Sequence, residues 1–167
     1  ESYMAKQIEG VSERILQCAK EEFLKNGYKD ASLRVIAAAA GTSTNSIYVR
    51  FKDKQGLFRA IVEPAVDGMM KMFMDIQETF HQFDEQKQVE TMGKYTADGM
   101  ENIIDYIYEN FDAFRLVLDA SYGTEFQNFV DDLTRIEVEY TYKYMEVIGC
   151  ESIRSGQVTE EFLHIVT

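Results

Sequence analysis

The chain of 167 residues carries 17 lysine or arginine side chains against 29 aspartate or glutamate side chains, which gives a formal net charge of −12. It has one proline and two cysteines, Cys18 and Cys150, which lie far apart with no CxxC pair. This cysteine pattern argues against a zinc site or a disulfide framework, and no apolar run is long enough to span a membrane. We therefore expect a cytoplasmic protein with no metal ion and no membrane partner.

The charge is unevenly distributed along the chain. Residues 1–60 carry ten basic and seven acidic side chains, a balance of +3, whereas residues 61–167 carry seven basic and 22 acidic ones, a balance of −15. The first segment can therefore approach the phosphates of a nucleic acid, while the second is repelled by them.

The first predicted helix runs from Gly10 to about Gly27, and we expect it to support the helices that follow. Its apolar stripe consists of residues at helical spacing: Val11, Ile15, Ala19 and Phe23. Residues 1–9 are polar without a helical period, so they are predicted to be a frayed lead-in.

Two short helices joined by a tight turn are predicted over residues 33–40 and 44–51. Ser32 and Ser43 are positioned to cap their first turns, and Gly41 can end the first helix at positive φ without steric cost. The alanines at positions 37–40 have little side-chain bulk, so a neighbouring helix can cross close to this backbone. The pattern is typical of a helix-turn-helix.

The second of these helices has a narrow apolar seam, Ile47 and Phe51, and an otherwise polar surface. A short helix with such a surface fits a DNA major groove. The alternative is a helical hairpin inside an ordinary bundle. Basic residues nevertheless surround this helix in an otherwise acidic chain: Arg34, Arg50, Lys52, Lys54 and Arg59.

The run from Arg14 to Ile61 resembles the N-terminal DNA-binding domain of TetR-family transcriptional regulators. The matching segments are FLKNGY at the end of the first helix, the turn GTS, the reading segment TNSIYVRF and the junction KDKQGLF. One departure is Gly56, where the family usually has an acidic residue, so the Asp53 cap of the next helix lacks its reciprocal partner.

The resemblance implies which residues bind DNA. Tyr48 and Lys54 match family positions that bind phosphates, and residues 44–46, 49 and 50 match the base-reading surface. The full expected set is Ser32, Arg34, Thr42, Ser43, Thr44, Asn45, Ser46, Tyr48, Val49, Arg50, Lys52 and Lys54. For Tyr48 the alternative is a partly buried core aromatic. The resemblance also implies a homodimer that binds a palindromic operator in double-stranded DNA, together with a small-molecule effector.

A fourth helix is predicted from Leu57 to about Phe83, interrupted by Pro64. An internal proline removes one backbone hydrogen bond and kinks or ends the helix near residues 60–63. We interpret Pro64 as the joint between the DNA-binding and sensing parts. A static kink accommodated by packing is the alternative.

The rest of the chain predicts helices over residues 92–107, 111–118, 124–148 and 151–167, with a loop at HQFDEQKQ, residues 81–88. Methionine and aromatic side chains here can line a pocket for an apolar or aromatic ligand, although such stripes usually form plain core. The pocket candidates are Met70, Phe73, Met74, Met100, Ile103, Ile104, Ile107, Phe114, Phe129, Leu133, Glu137 and Tyr140.

Glu137 falls on the same helical stripe as the apolar side chains of the seventh helix. A carboxylate there can meet a cationic ligand, with tyrosine faces adding attraction. The interpretation we prefer is that it lies at the edge of the stripe and stays solvated.

These observations predict an all-α protein with an N-terminal three-helix helix-turn-helix DNA-binding domain, residues 1–60, and a C-terminal helical ligand-binding and dimerisation domain, residues 61–167. Because TetR-like chains usually continue through the eighth helix and one more, we expect the second domain to be incomplete at its C-terminus. The predicted function is a ligand-responsive, sequence-specific transcriptional regulator, a repressor released from its operator by a small molecule. The alternative is a helical ligand-binding or protein-interaction module without DNA binding.

No phosphate-binding loop, nucleophile elbow or HExxH sequence is present, and neither histidine has neighbours suited to a metal or a general base. We therefore expect no catalytic residues, no metal site and no cofactor.

Overall fold

The computed structural model describes residues 2–150 and 154–166, and at residues 2–9, 162, 164 and 166 it describes the backbone alone. Over these ranges the chain forms helices and turns without a strand, which confirms the predicted all-α fold. The helices are α1 Ser2–Asp30, α2 Leu33–Ala39, α3 Thr44–Phe51, α4 Lys54–His81, α5 Glu85–Glu109, α6 Phe111–Asp119, α7 Phe129–Val147 and α8 Glu160–Val166. None of the described helices is both long and apolar enough to cross a membrane.

The chain packs as two compact units. Unit 1 comprises Glu1–Asp67 and Asn110–Gln127, and unit 2 comprises Gly68–Glu109 and Asn128–Thr167. The sequence-based division at residue 60 groups residues 110–127 with the second domain, whereas this segment packs against the helices of unit 1. The assignment of separate functions to residues 1–60 and 61–167 stays a prediction.

The core of unit 1 is built on side chains that are removed from solvent on α1, α2, α3 and α4. Ile15 and Phe23 of α1, Ile36 of α2, Ile47 of α3 and Phe58 of α4 are fully buried. Because each fully buried apolar side chain contributes on the order of 1.5–3 kcal/mol of transfer free energy, this cluster fixes the short helices α2 and α3, which are too short to be stable alone.

An aromatic cluster extends this core to the segment that follows α6. The rings of Phe23 and Phe58 meet edge to face with centroids 5.1 Å apart, and Tyr28 meets Phe58 at 5.4 Å. Phe126 lies 6.1 Å from Phe58. Tyr28 thus packs against the rings of α1 and α4. Burial, and secondarily the charge of Asp53, raises the pKa of its hydroxyl.

Segment 110–127 is held against α1 by polar contacts as well as rings. The Tyr28 N–H donates to the Ala120 carbonyl at 2.9 Å, and Lys20 pairs with Asp112 at 3.1 Å. Both contacts join residues about 92 positions apart in the chain. A pairing at that sequence separation cannot be inferred from local periodicity, which is why the sequence did not place α6 here.

Several helix boundaries differ from those predicted. Helix α1 begins at Ser2 rather than Gly10, and Gly27, with φ of 74°, interrupts its helical geometry before Asp30. Helix α4 is continuous from Lys54 to His81 with Pro64 inside it, so the proline does not end the helix.

The predicted loop at residues 81–88 is reduced to the three residues between α4 and α5. Asp84 Oδ1 accepts from the Lys87 N–H at 2.9 Å, and Gln88 Nε2 donates to the Phe83 carbonyl at 2.8 Å. These local hydrogen bonds start α5 at Glu85, although the segment has a weak apolar period.

Helix α7 begins at Phe129 rather than near residue 124. The Thr124 hydroxyl donates to the Ser121 carbonyl at 2.7 Å and accepts from the Phe126 N–H at 3.1 Å, so residues 121–126 form turns instead of a helix. Helix α8 covers only Glu160–Val166. Residues 151–153 and 167 of the predicted last helix, and the side chain of Phe162, lie outside the described part of the chain.

Candidate nucleic-acid interface and an apolar cavity

Two serine caps and one glycine define the turn between α2 and α3, and all three were predicted. Ser32 Oγ accepts from the Val35 N–H at 3.4 Å, and Ser43 Oγ accepts from the Ser46 N–H at 3.2 Å. Between them, Gly41 has φ of 66°. Its N–H and that of the next residue donate to carbonyls at the end of α2, the hydrogen-bond pattern that ends a helix at a left-handed residue.

Helix α1 holds α2 at both ends. Near the start of α2, Glu22 Oε1 accepts from the Ser32 N–H at 3.0 Å. Near its end, Arg14 Nε donates to the Ala40 carbonyl at 3.2 Å. The expectation that the first helix supports the pair is confirmed, because these contacts satisfy terminal backbone groups that a two-turn helix cannot satisfy internally.

Helix α3 presents one anchored side and one open side. Ile47 is fully buried, whereas the side chains of Tyr48 and Val49 are 51% and 75% exposed. Asn45 is also exposed. An exposed valine beside an exposed amide and phenol has no folding role, so this surface is available for contacts with another molecule. The exposure of Tyr48 excludes the alternative of a core aromatic.

Arg50 is folded back along α3. Its Nη1 donates to Ser46 Oγ at 2.6 Å and to the Ser46 carbonyl at 3.3 Å. Its Nε is buried without a hydrogen-bond partner among the described residues. The guanidinium is therefore only partly satisfied within the chain, and a turn of the side chain away from Ser46 would release its donors to an outside acceptor.

Lys54 has a structural role that the sequence did not indicate. Its Nζ donates to the carbonyls of Lys29 at 2.9 Å and Ala31 at 3.0 Å, beyond the end of the regular part of α1. The same ammonium lies 5.0 Å from the centre of the Tyr28 ring. Lys54 thus ties the start of α4 to the end of α1, and its expected contact with a DNA phosphate would have to share these donors.

The cap of α4 is present as predicted. Asp53 Oδ1 accepts from the Gly56 N–H at 2.7 Å. The backbone before it reverses at Lys52, which has φ of 73°, and the Asp53 N–H donates to the Phe51 carbonyl at 2.9 Å. This turn brings the Phe51 carbonyl oxygen so close to Gly56 that a Cβ there would overlap it.

The twelve residues expected to bind DNA all belong to unit 1 and fall between positions 32 and 54, on and around α2 and α3. Six have exposed side chains: Arg34, Ser43, Asn45, Tyr48, Val49 and Lys52. The others are partly buried: Ser32, Thr42, Thr44, Ser46, Arg50 and Lys54. Val35 of α2 is 51% exposed and was not among the candidates.

Unit 2 contains an apolar cavity of about 120 Å³ between α4, α5 and α7. Its wall on α4 includes Phe73 and Phe80, on α5 Tyr95, and on α7 Tyr140 and Tyr144. The centroids of Phe80 and Tyr95 are 5.4 Å apart, and those of Phe80 and Tyr144 are 5.7 Å apart. The cavity is therefore bounded largely by aromatic rings.

Five pocket candidates from the sequence line this cavity: Phe73, Met100, Ile103, Glu137 and Tyr140. The other seven do not line it: Met70, Met74, Ile104, Ile107, Phe114, Phe129 and Leu133. Met70, Ile107 and Leu133 lie one helical turn from the nearest lining residue of their own helix, and Met74 and Ile104 are each next in sequence to a lining residue. Phe114 is buried in unit 1, and Phe129 is buried at the start of α7.

The lining residues that the sequence analysis missed lie in the second half of α4, in α5 and in α7. They are Ile76, Gln77, Phe80, His81, Met92, Tyr95, Thr96, Gly99, Thr141 and Tyr144. The signal that could have found them is the cluster of rings at positions 80, 81, 83 and 95, which the predicted loop at 81–88 obscured.

The cavity lining includes one basic residue, His81, and one acidic residue, Glu137. Burial lowers the pKa of His81, an effect opposed by a backbone hydrogen bond at Tyr140 and increased by the charge of Lys143. His81 therefore favours its neutral form. Within the described parts of the chain, no group of histidine, cysteine and carboxylate side chains is arranged to hold a metal ion.

Comparisons with known proteins point to one class. Residues 15–61 match the sequence profile of bacterial regulatory proteins of the tetR family. An uncharacterized HTH-type transcriptional regulator of Haemophilus influenzae is 25% identical over 135 residues, which cover 75% of this chain and 61% of that protein. The HTH-type regulator YerO of Bacillus subtilis, also uncharacterized, is 24% identical over 159 residues, which cover 81% of this chain and 55% of that protein.

Among solved structures, a Clostridium perfringens protein provisionally described as a fatty acid metabolism regulator aligns with a TM-score of 0.47 and 22% identity, covering 92% of this chain and 77% of that one. The chain thus spans little more than half the length of the two HTH-type regulators that it matches.

Proposed function

We propose that this chain, whose residues 15–61 match the tetR family profile, is a transcriptional regulator of that family and acts as a ligand-responsive repressor that binds a palindromic operator as a homodimer. The observation that carries the proposal is the surface of α3, where Asn45, Tyr48 and Val49 face solvent while Ile47 anchors the helix. The protein would act in the cytoplasm, by binding rather than by catalysis.

Side chains of α3 have the chemistry that base recognition requires. An asparagine can pair its amide with adenine, an arginine can donate two hydrogen bonds to guanine, and the methyl groups of a valine can contact a thymine methyl. Asn45, Arg50 and Val49 supply these groups on one short helix. Tyr48 and Lys52, both exposed, would contact phosphates and fix the register.

Dimerisation follows from the small size of the reading surface. A single helix-turn-helix buries too little surface for tight and selective binding, whereas two heads about one helical turn of DNA apart can read both halves of a palindrome. The acidic balance of residues 61–167 would keep the rest of each protomer away from the phosphates.

Two covalent routes connect the reading surface with the cavity. Helix α4 begins beside α3 with Lys54 and ends with cavity residues such as Phe80. Segment 110–127 packs on α1 and α4 of unit 1, where Glu125 pairs with Arg59 at 2.6 Å, and it is continuous in sequence with α5 and α7, which form the other cavity walls.

The proposed regulation uses these routes. A small molecule that binds the cavity better in one arrangement of α4, α5 and α7 favours that arrangement, and the shift reaches the reading heads through α4 and segment 110–127. The operator would be released because the ligand prefers a conformation in which the two helix-turn-helix domains of the dimer no longer match the spacing of the two half-sites.

The first test is selection of bound sequences from a random duplex pool, with the full chain, at several salt concentrations. We expect enrichment of an inverted repeat, with an affinity that falls steeply as salt rises because phosphate contacts release counterions. Absence of any enriched sequence at every salt concentration would contradict sequence-specific binding and would favour a ligand-binding module without DNA recognition.

The second step uses Arg50→Ala and the matched control Arg115→Ala, which removes the same charge from the exposed surface of α6. Arg50→Ala is expected to weaken binding to the selected duplex by roughly 10- to 100-fold and to relax preference at one base pair. Arg115→Ala is expected to change it less than threefold. Thermal unfolding of both variants verifies that the fold is retained.

A further inference from the structure

The cavity of unit 2 carries one unpaired negative charge. Of the fifteen residues that line it, Glu137 is the only acidic one, and none is a lysine or an arginine. The Glu137 side chain is exposed at the rim and has no ion pair or hydrogen bond with any described residue. An anionic ligand in this cavity would meet a carboxylate and no compensating positive charge.

The nearest basic groups do not reverse this balance. His81 favours its neutral form because it is partly buried. Lys143, one turn beyond Glu139 on α7, is held by that carboxylate at 2.6 Å. Lys143 is thus paired with Glu139, and Glu137 has no such partner among the described residues.

The wall beside Glu137 consists of aromatic faces. Tyr140 stands one turn from Glu137 on α7 and packs on the His81 ring with centroids 5.2 Å apart. The Lys143 ammonium lies 4.5 Å from the centre of the Tyr140 ring, so this ring already interacts with one cation of the chain. Faces of Tyr and Phe rings attract cations through their quadrupoles, and the attraction grows when the cation is desolvated.

We propose that this cavity binds a monovalent organic cation, such as a quaternary ammonium group with an aromatic or alkyl substituent, with Glu137 as its counter-charge and the rings of Tyr95, Tyr140 and Tyr144 as its walls. A quaternary ammonium group has no hydrogen-bond donor or acceptor, so its recognition would depend on the ring faces and on Glu137 rather than on the other polar groups of the lining. A cavity of about 120 Å³ fits the charged head and a small substituent, while a longer substituent would extend past the rim at Met100 and Glu137. The inference rests on the proposed function, since it names the chemical class of the effector.

The test compares three probes of similar size by calorimetric titration of the full chain. They are phenyltrimethylammonium, its uncharged isostere tert-butylbenzene, and the anion benzoate. We expect phenyltrimethylammonium to bind at least tenfold more tightly than either of the others. Equal or tighter binding of tert-butylbenzene or benzoate, or no binding of the cation at millimolar concentration, would overturn the proposal.

Two substitutions in α7 test whether the charge of Glu137 is responsible for binding of the cation. Glu137→Gln removes the carboxylate from the rim, and Glu146→Gln removes one exposed carboxylate elsewhere on the same helix. We expect Glu137→Gln to weaken binding of phenyltrimethylammonium at least tenfold and Glu146→Gln to weaken it less than twofold. Equal affinities in the two variants would refute the role of Glu137.

A DNA-binding measurement separates the two proposals. Operator affinity is measured with and without phenyltrimethylammonium, using the duplex found by selection. Operator binding without any binding of the cation would overturn the cation class and leave the regulator intact. Binding of the cation to a chain that selects no duplex would support the cavity assignment and contradict the proposed function.

Discussion

Gly56 occupies the first turn of α4 at a point where the chain has just reversed through Lys52. A Cβ at this position would overlap the Phe51 carbonyl oxygen, which is backbone and cannot move aside cheaply. The absence of the acidic residue usual in the family is therefore a steric requirement of this turn. The Asp53 cap remains, and only the reciprocal side-chain partner of that cap is lost.

Gly56→Ala is expected to destabilise the protein by about 1–3 kcal/mol, because relieving the overlap must distort either the turn or the start of α4. The matched control is Gly93→Ala, at an exposed position of α5 where a Cβ meets nothing within 4 Å. That change should stabilise the protein by about 0.5–1 kcal/mol. Denaturant unfolding of both variants measures the difference, and a Gly56→Ala variant as stable as Gly93→Ala would contradict this account.

Lys54 illustrates how one residue can serve two roles. Its family position binds a phosphate by resemblance, yet its ammonium already donates to two carbonyls near the end of α1. Truncating it would therefore reduce the stability of unit 1 as well as DNA affinity. For that reason Arg50 and Lys52 test DNA contacts more cleanly than Lys54 does.

Among the helices, α4 has residues in both compact units. Residues up to Asp67 belong to unit 1 and residues from Gly68 belong to unit 2, although the helix is continuous. Pro64 lies one turn before this boundary and lacks the N–H that would donate to the Ala60 carbonyl. A helix with one missing hydrogen bond at this place can bend more easily than its neighbouring turns.

Pro64→Ala is expected to raise the midpoint of thermal unfolding, because it restores a backbone hydrogen bond in the interior of α4. If the weakened turn transmits the ligand signal, the variant should also respond less to an effector, so that operator affinity with and without phenyltrimethylammonium becomes more nearly equal. Glu63→Ala, at the adjacent exposed position, is the control. An unchanged response in Pro64→Ala would identify the proline as a static kink.

For the whole molecule, the charge distribution and the proposed two-fold dimer would determine how the surface of α3 approaches DNA. The positive balance of residues 1–60 and the strongly negative balance of residues 61–167 orient any approach to DNA. In the proposed homodimer, each helix-turn-helix would read only a few base pairs, so selectivity would come from the two together.

An operator with one half-site scrambled should bind at least 100-fold more weakly than the intact operator, because the contacts of one head are lost. Insertion of five base pairs between the half-sites should have a similar effect, since it places the second half-site on the opposite face of the duplex. Titrations of the three duplexes, with the same number of bases changed outside the operator as a control, measure both effects. Equal affinity for the intact and half-scrambled duplexes would indicate that a single head binds alone.

The sequence by itself determined the helix-turn-helix. The bounds of α2 and α3, the caps at Ser32 and Ser43 and the reversal at Gly41 were predicted within one residue, because each depends on hydrogen bonds that span five residues or fewer. The all-α fold could also be predicted from the sequence, since apolar periodicity is a local signal. The resemblance to the TetR family came from the same stretch, where the caps, the glycine turn and the reading segment follow one another in order, and residues 15–61 match the profile of that family.

Only the tertiary structure decided where residues 110–127 pack, what Lys54 contacts and which side chains enclose the cavity. Each of these depends on residues more than 20 positions apart, as in the contacts of Tyr28 with Ala120 and of Phe80 with Tyr144. A methionine or aromatic stripe shows which face of a helix is apolar, but not which turn of that face meets a gap between helices. The position of a cavity is set by how three helices diverge, and that geometry is absent from any one of their sequences.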